Sequence, residues 1–589
     1  MRRVLIANRG EIAVRIAHAC REAGLVSIAV YADADRDALH VRAADEAYAL
    51  HGETAADTYL NISKLLAVAA ASKADAVHPG YGFLAENAAF AQAVREAGLT
   101  WIGPSAETIA LLADKVAARR IACDVGVPVM PGTGRPVTTA AEVADFARSH
   151  GYPVAVKAAH GGGGRGMRIV HDTRQIPELL EAAVREAASA FGRGDCFVER
   201  YVARPRHVET QCLADAHGNV AVLSTRDCSI QRRHQKRVEE APAPGLTPHQ
   251  WELLREGSAA ILRTTGYVGA ATCEFLLAED GTLSFLEVNT RLQVEHPVTE
   301  EVTGVDLVQE MLRIADGQRL ERTDFPVHGH AVEFRITAED PHRGFAPVAG
   351  RLDQLVFPTG PGIRVDTGYQ QGDTVPPHFD SLIAKLIVRG DTRAHALARA
   401  RRALADVTVA GVPTLLPFHR ALLDTPEFTA DVPRIHTRWV ETSFPFHLLE
   451  ELPRGTAPAQ APPSESRERV LVEVNGQRFE VSVPTARSTT AVLPRPRRAA
   501  RTSPPPRGGS RAGTAVTAPT PATVVKVVVA DGDAVQPGDT LLLVEAMKME
   551  QPITAHRAGI VRGLAVEAGT PVAQGDLVCE IVDAPEADR

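Results

Sequence analysis

The 589-residue chain contains no long apolar run, and no stretch approaches the roughly 18 consecutive apolar residues of a membrane-spanning helix. The apolar run after the basic start Met1-Arg2-Arg3 is too short for a secretory signal peptide. The seven cysteines show no paired spacing, which predicts neither a disulfide framework nor a zinc site. We therefore expect a cytoplasmic protein that has no membrane partner.

The chain also lacks the basic excess that is typical of general nucleic-acid-binding proteins. Its formal net charge is −8, so we expect no nucleic-acid partner. The hydrophobic content of 45% is ordinary for a globular protein. Because 589 residues exceed what one hydrophobic core accommodates, about three to five domains are expected.

The first 114 residues alternate predicted strands and helices. Val4–Ala7 is a short buried-strand run, and a helical stretch begins at Glu11. Leu25–Tyr31 is a second strand candidate, and Ala74–Gly80 has the pattern of a strand followed by a turn. This order predicts a parallel sheet with helices on both faces. Farther along, a helix is predicted over Ile176–Phe191.

The segment between residues 449 and 515 has the composition of a linker. Pro453–Pro463 is rich in proline and alanine, and residues 485–515 hold seven arginines and no carboxylate, which predicts a disordered tether spanning roughly 30 Å. Asn475-Gly476 lies between two apolar runs and predicts a hairpin that pairs Val472 with Phe479 and Val470 with Val481.

A short pattern occurs twice near the C-terminus. Gly532–Asp539 recurs in similar form at Gly569–Asp576, and Lys548 lies between the two copies with a methionine on each side. Two equivalent halves predict a small β-sandwich that presents Lys548 at an exposed turn, where it can be modified. An ordinary surface lysine is the alternative, and both the repeat and the flanking methionines argue against it.

A run of glycines, Gly161–Gly164 and then Gly166, follows Lys157. Consecutive glycines expose backbone N–H groups and can fold over a polyanion, while a nearby lysine can neutralise phosphate charge. No Gly-Lys-Ser/Thr follows, so this is not a Walker A loop. An ordinary loop is the alternative, but the preceding lysine favours a phosphate-binding lid.

A row of polar residues occupies every odd position from 287 to 295. In an extended chain these side chains would share one face. The first two members offer oxygen ligands for Mg²⁺, the next two can bind a planar oxyanion, and the last could be a base. A solvated edge strand is the alternative, although Glu274 in the preceding strand candidate supplies another carboxylate. The members of the row are Glu287, Asn289, Arg291, Gln293 and Glu295.

A third polar feature combines His207–Gln211 with Arg226–Arg237, and the second run holds five lysines and arginines. Such a run is commonly a solvated surface or a nucleic-acid patch. The flanking strand-like pattern and the acidic net charge favour the anion-binding wall of an active site instead.

These features together resemble biotin carboxylase, an ATP-grasp enzyme, over about residues 1–448. Asn8–Ala13, His78–Leu84 and His330–Arg335 are further motifs that carry the resemblance. Residues 516–583 resemble a biotinyl carrier domain, and Ala546–Met549 is similar to its biotinylation motif, whereas Ala518–Ala522 departs from the usual family pattern. The combination is similar to the α subunit of an acyl-CoA carboxylase.

The resemblance implies an α/β ATP-grasp fold with a Rossmann-like N-terminal domain, followed by an all-β sandwich of the biotinyl/lipoyl type. The implied divisions are an N-terminal domain, a lid region, an ATP-grasp core with the C-terminal carboxylase domain, a linker and a carrier domain. Their expected ranges are 1–114, 115–203, 204–448, 449–515 and 516–583.

The resemblance also implies site residues, each by its matching motif. The nucleotide would be contacted by Lys115, Lys157, Gly161, Gly162, Gly163, Gly164, Gly166, Glu199, Arg200, Val202, His207, Gln231 and His234. Mg²⁺ or Mn²⁺ would be held by Glu274, Glu287 and Asn289, and bicarbonate by Lys236, Arg291, Gln293 and Val294. Glu295 would be the base, Arg335 would stabilise the biotin enolate, and Lys548 would carry biotin.

The implied activity is ATP-dependent C–N ligation. Glu295 would deprotonate bicarbonate, carboxyphosphate would form from ATP, and its breakdown behind the closed lid would carboxylate biotin. The loaded Lys548 would then visit a carboxyltransferase on a separate β subunit, with acetyl-CoA or propionyl-CoA as the acceptor. We therefore expect a hetero-oligomer, and a biotin protein ligase that attaches biotin.

Several alternatives remain open at the level of sequence. Methylcrotonyl-CoA or pyruvate could be the acceptor instead. The chain could also be an ATP-grasp ligase that joins a carboxylate to an amine, a lipoyl carrier, or a non-catalytic biotinyl carrier or scaffold.

Overall fold

A computed structural model describes residues 1–160, 166–450, 467–474, 477–484, 514–519, 522–546, 549–564, 566–572 and 575–583. The chain divides into two compact units, Met1–Thr456 and Ala457–Arg589. Among the described residues, none of the helices combines the length and apolar character needed to cross a membrane.

The N-terminal segment folds as the predicted parallel sheet between helices. The strands are β1 (Arg3–Ile6), β2 (Val26–Tyr31), β3 (Glu46–Ala49), β4 (Ala76–His78) and β5 (Thr100–Trp101). The helices are α1 (Gly10–Glu22), α2 (Leu39–Ala43), α3 (Ile62–Ala71), α4 (Ala88–Glu96) and α5 (Ala106–Ala113).

The five strands pair in parallel in the order β3-β2-β1-β4-β5. Side chains alternate along β1, so that Val4 and Ile6 join one core cluster and Leu5 joins another on the opposite face. The predicted parallel sheet is confirmed, and an apolar core lies on each of its faces.

A smaller sheet follows, built from β6 (Val154–Ala158), β7 (Arg168–Val170) and β8 (Cys196–Arg200) in the order β7-β6-β8. Its helices are α6 (Lys115–Asp124), α7 (Ala140–His150) and α8 (Ile176–Phe191). Helix α8 has the predicted bounds, because proline lies in its first turn and Gly192 ends it in the left-handed conformation.

The largest sheet contains eight antiparallel strands in the order β13-β12-β9-β10-β11-β14-β21-β19. Helices α9 (Pro248–Thr264), α10 (His296–Thr303) and α11 (Leu307–Ala315) lie between its strands in sequence. The strands are β9 (Arg206–Ala214), β10 (Val220–Arg232), β11 (Gln235–Ala241), β12 (Gly269–Leu277), β13 (Leu283–Asn289), β14 (His330–Thr337), β19 (Ile363–Thr367) and β21 (Leu382–Gly390).

Short elements complete this unit. The strands are β15 (Glu339–Asp340), β16 (Ala346–Pro347), β17 (Gly350–Arg351), β18 (Gln354–Val356), β20 (Thr374–Val375) and β22 (Thr408–Ala410). The helices are α12 (Arg393–Asp406), α13 (Leu416–Leu422), α14 (Pro426–Thr429), α15 (Trp439–Thr442) and α16 (His447–Glu450). The finer predicted domain boundaries within residues 1–448 stay predictions.

The second unit begins with a hairpin of β23 (Arg467–Val474) and β24 (Gln477–Pro484). Its register pairs Val470 with Val481 and Val472 with Phe479, which confirms the predicted pairing. The turn itself lies outside the described residues.

The described strands of the carrier region form two four-stranded sheets, β25-β32-β30-β27 and β29-β28-β26-β31. Apolar side chains such as Leu541, Val544, Val561 and Ile581 fill the core. The strands are β25 (Ala515–Thr517), β26 (Ala522–Val527), β27 (Ala534–Val535), β28 (Thr540–Ala546), β29 (Met549–Thr554), β30 (Gly559–Arg562), β31 (Pro571–Val572) and β32 (Leu577–Val582). The predicted sandwich is confirmed.

The two copies of the sequence pattern have matching backbone roles. Gly532 donates its N–H to the Val561 carbonyl at 2.8 Å, and Gly569 donates to Val524 at 2.7 Å. All four pattern glycines have φ between +88° and +100°. This conformation strains any residue with a Cβ atom, which explains why glycine recurs at these positions.

Candidate active site

Lys236 on β11 lies among three carboxylates from three different elements. Its Nζ atom is 2.7 Å from Glu209 Oε2, 3.0 Å from Glu274 Oε1 and 2.6 Å from Glu295 Oε1. Burial opposes the charged form of Lys236, but Cys228 and these carboxylates raise its pKa well above the ordinary value. The side chain is therefore a fixed cation at the centre of the site.

Glu295 lies between two cations. Lys236 contacts one carboxylate oxygen, and Arg335 Nη2 of β14 lies 3.0 Å from the other. Burial tends to raise the pKa of Glu295, but Lys236, Arg335 and Arg226 lower it well below its usual range. The carboxylate is ionised at neutral pH, as a proton acceptor must be.

Two carboxylates face each other across the β12–β13 pair. Glu274 and Glu287 are direct partners in the antiparallel register, and Asn289 donates to Glu274 Oε1 at 2.9 Å. Carboxylates opposed in this way repel each other unless cations lie close by. Lys115 supplies one such cation, at 2.8 Å from Glu287. Two carboxylates and an amide oxygen are a donor set that fits Mg²⁺ or Mn²⁺.

The predicted nucleotide contacts on β6, β8, β9 and β10 fall into two groups. His207 Nε2 lies 3.1 Å from Glu274 Oε2, and Gln231 Nε2 lies 3.3 Å from the other ring nitrogen of His207. Burial tends to lower the pKa of His207, but Glu274 raises it above the ordinary value. In the second group, Lys157 contacts the buried carboxylate of Glu199.

Other predicted nucleotide residues lie at turns or chain ends. His234 has φ of +62° in the turn between β10 and β11, and burial lowers its pKa. Arg200 ends β8 with an exposed side chain, and Val202 lies in the loop that follows. Gly166 has φ of +69°, which favours glycine there.

The predicted glycines Gly161, Gly162, Gly163 and Gly164 lie outside the described residues, and so does Lys548. Their proposed roles in the lid and in biotin attachment stay predictions.

The polar row from 287 to 295 does not form one extended strand, so that part of the prediction is wrong. Strand β13 ends at Asn289, and residues 290–295 are irregular or form a turn before α10. The turn brings Gln293 Nε2 to 3.1 Å from Glu274 Oε1. Arg291 instead pairs with Glu86, at 2.8 Å. Asn289, Gln293 and Glu295 therefore meet around Glu274 and Lys236 because the chain turns after β13, whereas Arg291 does not join them.

Sequence reasoning placed Arg226 in the run expected to form an anion-binding wall but gave it no individual role, and the side chain is fully buried in the sheet. It donates to Glu209 Oε1 at 2.5 Å and to Gln293 Oε1 at 2.8 Å. Further donors reach Gln211, Thr272 and Thr299. The polar residues His207, Glu209 and Gln211 alternate along β9, and Arg226 lies on the paired strand β10. The sequence contained both patterns, but it could not show that Arg226 meets these residues, because they are distant along the chain.

Glu239 was also missed. It is fully buried on β11, and its carboxylate contacts the Arg335 guanidinium. Arg335 is therefore held between Glu239 and Glu295, which fixes a cation at the edge of the site.

Family models match most of the chain. The matches are "Biotin carboxylase, N-terminal domain" over residues 1–109, "Carbamoyl-phosphate synthase L chain, ATP binding domain" over 114–323, "Biotin carboxylase C-terminal domain" over 333–442, and "Biotin-requiring enzyme" over 513–581.

Individual relatives extend this similarity. The biotin-dependent acyl-coenzyme A carboxylase alpha3 subunit of Mycobacterium leprae is 52% identical, and the match covers 98% of each chain. Mitochondrial pyruvate carboxylase of Rattus norvegicus is 42% identical over 84% of this chain and 41% of its own length.

A solved structure of the biotin carboxylase domain dimer of Hydrogenobacter thermophilus 2-oxoglutarate carboxylase, with MgADP, ADP and bicarbonate, is 42% identical. It has a TM-score of 0.73, and the match covers 77% of this chain and 99% of that one. Together with the site geometry, these similarities show that the chain belongs to the α subunits of biotin-dependent acyl-CoA carboxylases, in which an ATP-grasp biotin carboxylase is joined to a biotin carrier domain.

Proposed function

We propose that this biotin carboxylase loads biotin carried on its own Lys548, and that a separate carboxyltransferase β subunit passes the carboxyl group to an acyl-CoA. The observation that carries the first half is the position of Glu295 between Lys236 and Arg335, 2.6 and 3.0 Å away. The second half is supported by the 52% identity to an acyl-CoA carboxylase α subunit over 98% of both chains.

In this proposal Glu295 takes the proton from bicarbonate. Despite burial, its two cationic neighbours hold its pKa well below the usual range, so it is a weak base in the ligand-free site. When bicarbonate contacts Lys236 and biotin contacts Arg335, the carboxylate shares these cations with the substrates, loses part of that stabilisation and becomes more basic. Substrate binding thereby increases the basicity of Glu295. Arg291, Gln293 and Val294 would complete the bicarbonate site.

A second group of residues would neutralise the negative charge of the nucleotide phosphates. Lys115 and Lys157 would contact the nucleotide phosphates, and Glu274, Glu287 and Asn289 would hold Mg²⁺ or Mn²⁺. When bound, ATP supplies the phosphoryl group and the metal ion neutralises phosphate charge. Lys115 and Lys157 now pair with Glu287 and Glu199, so nucleotide binding must draw both lysines from carboxylates to phosphates.

Arg335 would stabilise the negative charge that develops on the ureido oxygen of biotin. Glu239 fixes the guanidinium from behind while Glu295 contacts it from the site. A planar, permanently charged donor at this point stabilises an oxyanion without rearrangement.

The test of the carboxylase half uses the full chain with free biotin. Glu295→Gln keeps the size of the side chain but removes the base, so bicarbonate-dependent ATP cleavage should fall by roughly 10²- to 10⁴-fold. Glu96→Gln, at an exposed helix end, is the matched control and should retain wild-type turnover. Near-normal turnover in Glu295→Gln would remove the assignment of the base, and a wild-type chain that cleaves no ATP would favour a scaffold.

The acceptor needs a separate experiment. The biotinylated chain is purified with whatever subunit binds it, and carboxylation of acetyl-CoA, propionyl-CoA, methylcrotonyl-CoA and pyruvate is compared. Acetyl-CoA or propionyl-CoA is the expected acceptor. Turnover of pyruvate alone would favour the relationship to pyruvate carboxylase. A streptavidin blot of Lys548→Ala checks the attachment site that a biotin protein ligase would use.

A further inference from the structure

Lys385 on β21 is a fully buried lysine that lies next to the site but was not predicted to belong to it. Its Nζ atom donates to the carbonyl oxygen of Val294 at 3.0 Å. It also lies 2.9 Å from Glu11 Oε1 and 3.7 Å from Asp366 Oδ2. A charge so completely removed from water is strongly destabilising unless it is paired and hydrogen-bonded.

The carbonyl that Lys385 holds belongs to the turn between β13 and α10. Gln293 and Glu295 flank Val294 in that turn, and both side chains point to the Lys236 cluster. Residues 290–295 form neither strand nor helix, and the turn has one backbone hydrogen bond, from the His296 N–H to the Gln293 carbonyl at 3.4 Å, so side-chain contacts also help to fix its direction. The hydrogen bond from Lys385 is one such contact, and it acts at the centre of the turn.

Lys385 is itself braced by Glu11, in the first turn of α1. The Tyr81 hydroxyl donates to the same carboxylate, and the Asn8 side chain donates to the Pro79 and Tyr81 carbonyls at 2.7 Å each. The two N-terminal motifs around residues 8–13 and 78–84 thus converge on the carboxylate that pairs with Lys385.

The approach of α1 to the strands beside Lys385 is unusually close. A Cβ atom at Gly368, just after β19, would lie 2.6 Å from the backbone nitrogen of Glu11. Only glycine fits at this distance, so the start of α1 is packed firmly against the edge of the large sheet. Glu11 therefore has little freedom to move away from Lys385.

We propose that Lys385 is a positioning residue of the bicarbonate site, which fixes the Val294 carbonyl and thereby the turn that presents Gln293 and Glu295. The proposal rests on the assignment of these residues to bicarbonate in the proposed function. The two N-terminal motifs then contribute to the position of that turn, because Tyr81 hydrogen-bonds the Glu11 carboxylate and Glu11 pairs with Lys385.

The test compares Lys385→Met with Lys64→Met in the full-length biotinylated chain. Lys64 also donates to a backbone carbonyl, that of His51 at 2.6 Å, but on an exposed surface. In Lys385→Met, KM for bicarbonate should rise about tenfold or more while KM for ATP changes less than about twofold. Lys64→Met should change neither. A merely structural defect would raise both constants together, and that result would overturn the proposal.

Hydrogen exchange of the peptide over residues 290–296 gives a readout that does not depend on turnover. We expect faster exchange there in Lys385→Met than in wild type or Lys64→Met, and unchanged exchange would overturn the proposal. If the wild-type chain shows no bicarbonate-dependent turnover, the proposed function fails, while the exchange comparison still decides the role of Lys385.

A milder variant covers the case in which Lys385→Met does not fold. Glu11→Gln keeps the shape of the side chain but removes the charge that pairs with Lys385. The same split between the two KM values, at about one third of the size, is expected. Equal KM values in Glu11→Gln and wild type, with unchanged exchange over residues 290–296, would contradict the proposal.

Discussion

Glu333 is a fully buried glutamate of β14, and in the part of the chain that the structure describes neither of its carboxylate oxygens has a hydrogen-bond partner. The antiparallel register places it directly opposite Glu239 of β11. Two buried carboxyl groups in this arrangement do not both ionise easily. Burial raises the pKa of Glu333 well above its ordinary value, although Lys385 opposes the shift. Burial likewise raises the pKa of Glu239 to about 7, against the effect of Arg335.

These shifts predict how stability depends on pH. Because both carboxyl groups bind a proton more tightly in the folded chain, their contribution is fully present below the unfolded pKa of about 4.3. That contribution is lost as the pH rises through the higher folded pKa, near 7 for Glu239. The melting temperature of the wild-type chain should therefore fall as the pH rises from about 5 to about 7, between the unfolded and folded pKa values of Glu239.

The variant Glu333→Gln tests this explanation, because its neutral amide resembles the protonated acid. The fall in melting temperature between about pH 5 and pH 7 should become smaller than in wild type, by several degrees. Glu96→Gln at an exposed position serves as the control and should keep the wild-type slope. A slope in Glu333→Gln equal to that of wild type would show that this carboxyl group does not titrate in the range.

At the scale of elements, the β12–β13 pair concentrates negative charge at one register position. Glu274 and Glu287 are opposite each other, with Lys236 and Lys115 as their present cationic neighbours. We expect Glu287→Gln to lower the affinity for MgADP about tenfold, because one of two carboxylate ligands is lost. In thermal unfolding this reduces the stabilisation by saturating MgADP by about 1.4 kcal/mol. A full MgADP shift in the variant would exclude Glu287 as a ligand.

The matched turns of the carrier sandwich give a second prediction at this scale. Gly538 and Gly575 occupy equivalent positions and have φ of +94° and +88°. Nothing lies within 4 Å of a Cβ atom at either site, so alanine would suffer only the backbone strain. Each glycine-to-alanine variant should destabilise the carrier region by about 1–2 kcal/mol.

Calorimetry of the two variants and of Gly134→Ala checks this prediction. Gly134 has equally open surroundings but lacks the positive φ, so its variant should unfold like wild type. Clearly different losses for Gly538→Ala and Gly575→Ala would argue that the two halves of the repeat are not equivalent in energy.

At the scale of the whole molecule, the chain separates the carboxylase and the carrier sandwich into two compact units. One unit contains the Lys236 cluster, and the other contains the carrier sandwich. In sequence, the β23–β24 hairpin and the arginine-rich segment 485–515 lie between the carboxylase and the sandwich. A two-stranded hairpin is marginally stable by itself, so we predict that it docks on the carboxyltransferase subunit.

Deletion of residues 469–484 tests the hairpin. Co-purification of the carboxyltransferase subunit should be lost or weakened about tenfold, while ATP cleavage with free biotin stays at the wild-type rate. A shuffled sequence of equal length in the same place controls for the loss of chain length. Retained co-purification after the deletion would remove this role.

The sequence by itself determined the local elements and the chemical types of the site. The parallel N-terminal strands, helix α8, the hairpin register and the repeated carrier turns all follow from side-chain periodicity and from glycine or proline at chain reversals. These signals act over a few residues, which is why a single sequence contains them. Likewise, carboxylates, an amide and lysines in short motifs indicated the candidate ligands without their geometry.

Only the tertiary structure decided which of these groups meet. Lys236 contacts Glu209, Glu274 and Glu295 from three different elements. Lys385 pairs with Glu11, which is more than 370 residues away in sequence. The polar row looked like one strand because its residues alternate, yet strand β13 ends at Asn289 and the chain turns at Val294 and Glu295. The physical reason is that buried charges must be neutralised by partners, and these lie on strands that are distant in sequence but adjacent in the sheet.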